Sequence, residues 1–274
     1  MLFGQCQKCS QPIYEDAAKW VPVWQEAHPT SITLPEGLDL KKGITCYVAV
    51  DNATYFLNPT GECWKFTQTA TGPAYKAIDN FPDAEESSVL FAFVAGPTPE
   101  TRVLHAGVVT DDTILLHCYT PAEGWQHIDD FDLSHYGIHH VSDPYVAACA
   151  IRDVDDGEQQ GLIALQTDPN KNLTMLVYEP SFKALENDAS WHYNYPDRKP
   201  IAALELAPNK AMLVYKDKSD SLGVRVFTRE KESVSVAISI NDTNPTDNIT
   251  RAALFSLSAT EHTLRRALLV LHRK

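Results

Sequence analysis

The sequence predicts an all-β chain: a five-bladed β-propeller of four-stranded antiparallel blades, closed by the N- and C-termini sharing the last blade. Three observations predict it. Most apolar runs are short, about 5–8 residues, rich in Val, Ile, Leu, Tyr and Phe and bounded by Asp, Asn, Pro and Gly. An Ala-rich run recurs as VLFAFVAG from Val89, YVAACAIR from Tyr145, IAALELAP from Ile201 and RAALFSLS from Arg251, with starts about 50–56 residues apart. The final unit ends after two strands, and the amino end supplies two strand-like pieces that complete it. A ring closed in this way leaves no edge strand unpaired.

Taken in order, MLFGQCQ and KWVPVWQE, the latter carrying Trp20 and Trp24, are the outer strands of the last blade. SITLPEG, TCYVAVD, ATYFLNP and ECWKFTQ, with Trp64, form the next unit. Each Ala-rich first strand is followed by a second: VLHAGVVT from Val103, GLIALQT from Gly161, AMLVYKD from Ala211 and RALLVLHR from Arg266. Third strands follow at TILLHCYTP from Thr113, LTMLVYEP from Leu173 and LGVRVFTRE from Leu222. Fourth strands are EGWQHI with Trp125, ASWHYN with Trp191, and SVSVAISI without Trp. Small residues and unbroken hydrophobicity suit a first strand buried on both faces near a crowded axis. A short helix is expected only near Ala27 or Glu85. The whole chain, 1–274, reads as one domain. The competing folds are a six-bladed propeller and a β-sandwich; a sandwich predicts no such period.

Composition narrows the partners. With 44% hydrophobic and 22% charged residues, 274 residues can build a full core. The net charge of −13 argues against nucleic acid and against an anionic membrane surface. A neutral or cationic partner fits better, and a homodimer stays open. No run of roughly 18 apolar residues is present. The opening MLFGQCQKCSQPIYEDAAKW lacks the basic and apolar regions of a signal peptide, although a mature form would also lack them. Four sequons, at Asn52, Asn172, Asn241 and Asn248, tilt the expected compartment toward the secretory pathway, with the cytoplasm not excluded. Of the six cysteines, Cys6-x-x-Cys9 invites a zinc or redox reading, but no second close pair completes a site. Cys46, Cys118 and Cys149 lie in apolar strands and read as small buried hydrophobes. No metal or cofactor is expected.

Candidate chemistry is sparse. A pyranose presents an apolar C–H face and a rim of hydroxyls, so Trp64, Trp125 and Trp191, with Tyr119 and Tyr178, are candidate sugar contacts. The plainer reading packs each of these rings between blades. HYGIHH, from His135 to His140, gathers three imidazoles near Asp130 and Asp132 but reads as a solvated loop. RDVDDGEQQ, from Arg152, resembles a calcium loop with its Gly and distal Glu misplaced, and an Asp-Gly hairpin turn explains it better. Glycoside hydrolysis needs two carboxylates, and Glu205 is the lone acid of the Ala-rich strands. Nucleophile-elbow, P-loop, dinucleotide and zincin motifs are absent. A cyclase or pericyclase, such as a Diels-Alderase of fungal secondary metabolism, needs none of them, because shape and one or two hydrogen bonds can suffice.

GVRVFTRE from Gly223, EGWQHI from Glu123, IAALEL and RAALFS resemble blade pieces of the fungal fucose-specific lectins and related propeller lectins. Those blades read as an Ala-rich first strand, an Arg-x-Tyr-type strand, a turn and a terminal Gly-Trp strand, in rings of six. The resemblance implies a sugar held between blades, an Arg and a Glu on its hydroxyls and aromatics on its apolar face. It places Arg225 as that Arg. Leu116 or His117, and Leu176, stand at the matching positions of two other blades, and SVSVAISI stands where the Glu is expected. The expected ligand contacts are therefore Arg225, Trp125, Trp191, Tyr119 and Tyr178, for a carbohydrate or other small neutral ligand. The alternatives are the motif-free enzyme and a protein-binding scaffold.

Overall fold

The computed structural model describes residues 2–6, 20–24, 46–50, 53–85, 89–139, 141, 144–153, 155, 157–166, 173–187, 199–216, 222–229, 238–239, 249–256 and 266–273. These form an all-β chain of five four-stranded antiparallel sheets. The amino end contributes β1 (Leu2–Cys6) and β2 (Trp20–Trp24). Sheet 1 is β3 (Cys46–Val50), β4 (Ala53–Leu57), β5 (Cys63–Thr69) and β6 (Gly72–Ile78). Sheet 2 is β7 (Val89–Ala95), β8 (Val103–Val109), β9 (Thr113–Thr120) and β10 (Gly124–Asp132). Sheet 3 is β11 (Tyr145–Arg152), β12 (Gln159–Gln166), β13 (Thr174–Glu179) and β14 (Ala184–Asn187). Sheet 4 is β15 (Lys199–Ala207), β16 (Lys210–Lys216), β17 (Leu222–Thr228) and β18 (Ile238–Ser239). The terminal sheet adds β19 (Ile249–Ser256) and β20 (Arg266–Arg273), in the order β19-β20-β1-β2, so both chain ends share it. Leu2 lies opposite Leu269 there, and Gln5 opposite Arg266.

Within sheets 1 to 4 the strands follow chain order, each beside the last. The first strands also pack on one another between sheets: β7 against β3 and β11, β11 against β15, and β15 against β19. These first strands are the inner edge of the assembly. The core is divided accordingly. One apolar cluster joins sheets 1 and 2 through Tyr55, Leu57, Leu90 and Leu104. A second joins sheets 2 and 3 through Phe91, Phe93, Ile163 and Tyr178, and a third joins sheets 3 and 4 through Ile151, Leu162, Leu213 and Phe227.

Several sequence-based expectations need correction. In sheet 1 the inner strand is TCYVAVD, not SITLPEG, which lies outside the described residues. The fourth strand is Gly72–Ile78, which the sequence reading passed over. Thr69 faces Gly72 across a two-residue turn, and Gly72 takes φ 123°, a value that only glycine adopts without strain. In sheet 3 the fourth strand is Ala184–Asn187, whereas Trp191 lies outside the described residues. No helix forms at Glu85, and Ala27 is outside the described residues. Short 3-10 turns occur instead at Pro99–Thr101 and Leu133–Tyr136. Burial also differs from expectation in sheet 3. All eight residues of the second strand, β12, are buried, while β11 alternates buried and half-buried positions, as successive side chains of a strand point to opposite faces.

Phe93 shows how neighbouring sheets engage. Its ring leaves sheet 2 and lies over Gly161 of sheet 3, where a Cβ on Gly161 would sit 2.2 Å from Phe93 Cε2. The same ring stacks on His105 at 5.3 Å, with an interplanar angle of 4°, and meets Tyr178 at 5.9 Å. Within sheets, Phe91 covers Gly107 and Tyr215 covers Gly223 in the same manner. His105 is 4% exposed and donates from Nδ1 to the Val103 carbonyl, 3.1 Å away. Burial lowers its pKa to about 4.

Two predictions follow from this contact. Gly161→Ala overpacks the Phe93 site, with an expected cost of about 1–3 kcal/mol and a fall in Tm of roughly 2–4 °C per kcal/mol, read by thermal unfolding. For His105, the unfolded chain takes up a proton near pH 6.5 while the folded chain does so only near pH 4. The stability from keeping it neutral is complete above pH 6.5 and is lost as pH falls toward 4, on the order of 3 kcal/mol in all. Unfolding midpoints for the wild type and His105→Gln, taken from pH 7 to pH 4, should converge across that window.

Candidate functional site

The junction of sheets 1 and 2 gathers aromatic and polar side chains at the surface, and local chemistry explains how. The Asn58 side chain organises the β4–β5 turn: its Oδ1 accepts from the Thr60 amide at 3.0 Å and the Glu62 amide at 2.9 Å. The Gly61 carbonyl of that turn accepts from the Phe81 amide at 2.8 Å, which fixes the segment after β6. That segment carries Phe81 and Asp83 over sheet 2. Phe81 is buried and meets both His117 and Trp125 edge-on, each at 5.3 Å.

Trp125 stands at the start of β10, half-buried. Its Nε1–H donates to the Asp79 carbonyl at 2.8 Å, a bond that crosses from sheet 2 to sheet 1. Tyr119 lies opposite it on β9, with ring centroids 5.3 Å apart, and is itself buried against Tyr55. Two acid–imidazole pairs flank these rings. His117 Nε2 is 3.3 Å from Asp83 Oδ2, and exposed His127 Nε2 is 2.7 Å from Asp130 Oδ1. The β10 register shifts between His127 and Asp129, a bulge that sets His127 and Asp130 side by side. The two imidazoles are 5.0 Å apart. Burial lowers the His117 pKa, opposed by the Asp83 charge. His117 Nδ1 is buried without a hydrogen-bond partner among the described residues. On the far side of Asp83 a cleft of about 520 Å³ opens, lined by Pro82, Asp83, Glu85, Val89, Val108 and Leu115 among others.

This arrangement offers an aromatic face with hydrogen-bonding groups at its rim. It does not offer an activated nucleophile. Cys118, beside His117 on β9, has its thiol pKa raised by burial, and thiolate character is what a nucleophilic cysteine needs. Among the described residues no group of three metal-ligating side chains converges. In the HYGIHH segment, His135 belongs to the Leu133–Tyr136 turn and His140 is outside the described residues. Within RDVDDGEQQ the Asp153 amide donates to the Glu158 carbonyl at 2.9 Å and Gly157 takes φ 76°, while Val154 and Asp156 lie outside the described residues.

The expected contact residues are thus dispersed. Trp125 and Tyr119 come together at this junction. Tyr178 is 1% exposed, enclosed by Phe93, His105 and Phe131 at the next one, and burial pushes its phenol pKa up. Arg225 faces Leu213 across the β16–β17 ladder in sheet 4. Four residues on, Arg229 is the arginine that ties sheets 3 and 4 together. Its Nη1 donates to Asp153 Oδ2 at 2.5 Å and to Gln160 Oε1 at 3.2 Å. The sequence reading missed Phe81, Asp83, His127 and Arg229. Phe81, Asp83 and Arg229 act across a sheet junction, and His127 meets Asp130 only through a bulge in β10, so nothing local marks them. The four sequon asparagines and Cys9 lie outside the described residues. Cys149 is buried as expected, Cys118 is only half-buried, and Cys63 is buried as well.

No protein-family model matches the chain, and no curated protein matches it either. Solved structures do. The lectin of Aleuria aurantia, described as a fungal lectin with a six-bladed β-propeller fold and a novel fucose recognition mode, aligns with TM-score 0.56 at 13% identity, over 83% of this chain and 70% of that one. A variant of the same lectin in complex with alpha-methyl-L-fucoside gives TM-score 0.55 at 13% identity, with the same coverage. A variant of AofleA from Arthrobotrys oligospora gives 0.50 at 13% identity, over 72% of this chain and 57% of that one. The chain therefore resembles the fungal lectin β-propellers in fold, and at this identity the likeness concerns the fold alone.

Asp83→Asn removes the charge that holds the His117 pKa up. An NMR titration of the imidazole should place His117 lower in the variant than in the wild type, and an unchanged or higher value would contradict the pairing.

Proposed function

We propose that this chain is a lectin-like β-propeller of five blades, closed through the terminal sheet, that binds a carbohydrate in the junction of sheets 1 and 2. The single observation that carries the reading is Trp125. Its ring is half-buried, anchored across the junction by Asp79 and packed against Phe81 and Tyr119, and the His117–Asp83 and His127–Asp130 pairs belong to the same junction. A pyranose needs that combination: a fixed aromatic face for its C–H side and polar groups for its hydroxyls. The likeness of fold to proteins described as fucose lectins supports the ligand class. Tyr119 backs Trp125 from beneath. Arg225 and Trp191 are proposed contacts at other junctions, and Tyr178 shapes its own junction from within.

A second reading rests on the cleft beside Asp83. Its volume of about 520 Å³ suits one small neutral ligand, and a motif-free cyclase would use such a space by shape alone. A secretory location remains the proposal made from the four sequons.

A glycan array and calorimetry with free fucose and other monosaccharides test the first reading. Trp125→Ala should weaken sugar binding about tenfold, the scale of one aromatic contact, while Trp125→Phe keeps most of it. A blank array with folded protein would remove the lectin reading. Retained affinity in Trp125→Ala would move the site elsewhere.

A further inference from the structure

The cleft beside Asp83 is walled by pieces that come from separate parts of the chain. One is the segment after β6, residues 82–85, which is seated on the β4–β5 turn. A Cβ on Gly61 would lie 2.5 Å from Ala84 Cβ, and Gly61 takes φ 77°, so glycine is what admits Ala84 there. A second is the turn between β8 and β9. Its Thr110 amide donates to the Thr113 carbonyl at 2.9 Å, and its Asp111 carbonyl accepts from the Val141 amide at 3.1 Å. The Leu133 amide donates to the Asp112 carbonyl at 2.7 Å. The turn is thus fastened at two successive carbonyls, and Asp111 is fixed where it lines the cleft. Buried Val108 and Val109, with half-buried Leu115, give the same space apolar surface.

The charge that lines the cleft is of one sign. Asp83, Glu85 and Asp111 line it, and among the described residues no lysine or arginine does. Asp111 is exposed, and its carboxylate enters no hydrogen bond or ion pair among the described residues. Asp83 lies 3.3 Å from His117 Nε2, but burial keeps that imidazole below the ordinary histidine range. At neutral pH His117 is therefore uncharged and does not cancel the Asp83 charge. The chain's net charge of −13 acts in the same direction. Apolar surface beside fixed carboxylates suits an occupant with an apolar body and one positive group. The volume of about 520 Å³ lies within the span of small-ligand pockets, about 300–1,000 Å³.

We propose that this cleft is a binding site for a small organic ammonium ion, its apolar body against Val108 and Leu115 and its cationic group facing Asp83 and Asp111. Shape alone would admit a neutral ligand equally well. The carboxylates add a requirement for positive charge, which goes beyond a neutral ligand held by shape and is independent of a sugar at Trp125.

The test is an NMR titration of the full chain with cyclohexylammonium, cyclohexanol and cyclohexanecarboxylate, three probes of one shape and different charge. It is followed on the methyl resonances of Val108, Val109 and Leu115. Saturable shifts with cyclohexylammonium are expected, with cyclohexanol about tenfold weaker, the combined scale of two partly exposed charge contacts. Cyclohexanecarboxylate should not saturate. Added sodium chloride should weaken the ammonium and leave the alcohol unchanged. Asp111→Asn should weaken the ammonium about two- to fivefold without altering the alcohol, whereas a merely structural Asp111 would move both probes together. No saturable shift with the ammonium, equal affinity for ammonium and alcohol, or an Asp111→Asn effect shared by both probes overturns the proposal. Tighter binding of Nα-acetyllysine amide than of cyclohexylammonium would assign the cleft to a lysine of a partner protein and overturn the small-ligand assignment. Equal affinity for ammonium and alcohol leaves a neutral ligand in the cleft, and sugar binding is read without any of these probes, so the failures are distinguishable.

Discussion

The contact of Phe93 with Gly161 is the constraint on which the rest depends. Two twisted sheets can face each other closely only where bulk on one side meets a vacancy on the other. Here the bulk is a phenyl ring and the vacancy is the missing Cβ of Gly161. The ring then stacks on His105 and touches Tyr178, so one wedge fixes the spacing of sheets 2 and 3. His105 stays neutral because that packing excludes water from it. The strands β7 and β11 are thereby held at contact distance.

The surface junction of sheets 1 and 2 and the cleft beside Asp83 are two consequences of one architecture. In the first, a segment after β6 crosses to the next sheet and is fastened by the Phe81 amide on the Gly61 carbonyl and by the Trp125 indole N–H on the Asp79 carbonyl. In the second, the same segment meets the end of β8 and brings Asp83 and Val108 to one space. Neither lies within a single hairpin. Sheets 3 and 4 use the same logic for cohesion, with Arg229 bonded to Asp153 and Gln160 across the gap. That guanidinium is already engaged by protein groups, whereas the ring of Trp125 keeps part of its surface open to solvent.

The repeating unit was legible because each strand carries its own signature. Val89–Ala95, Val103–Val109 and Thr113–Thr120 are apolar runs with turn residues between them, and no long-range information is needed to find them. The fourth strands were the hardest to read. Gly72–Ile78 has Ile78 as its one large aliphatic residue, because an outer strand has little to bury, and Ala184–Asn187 is only four residues long. A tryptophan looked like a better marker, which drew the third unit's fourth strand to Trp191. The sequence leaves both readings of Tyr178 open, a ligand contact or a packed ring, for a related reason. An aromatic at a strand end looks alike whether the next sheet covers it or solvent does.

The amino-acid sequence by itself determined the all-β class, the order of the inner strands and the pairing of the chain ends, since hydrophobic period and turn residues are local properties of the chain. Tertiary structure alone decided which side chains share a site. Asp83 meets His117, Asp79 meets Trp125, and Glu205 meets Arg152 across separations of 34, 46 and 53 residues. Those meetings depend on how far each sheet is turned against its neighbour, an angle set by rings and glycines packing between sheets and written in no single strand.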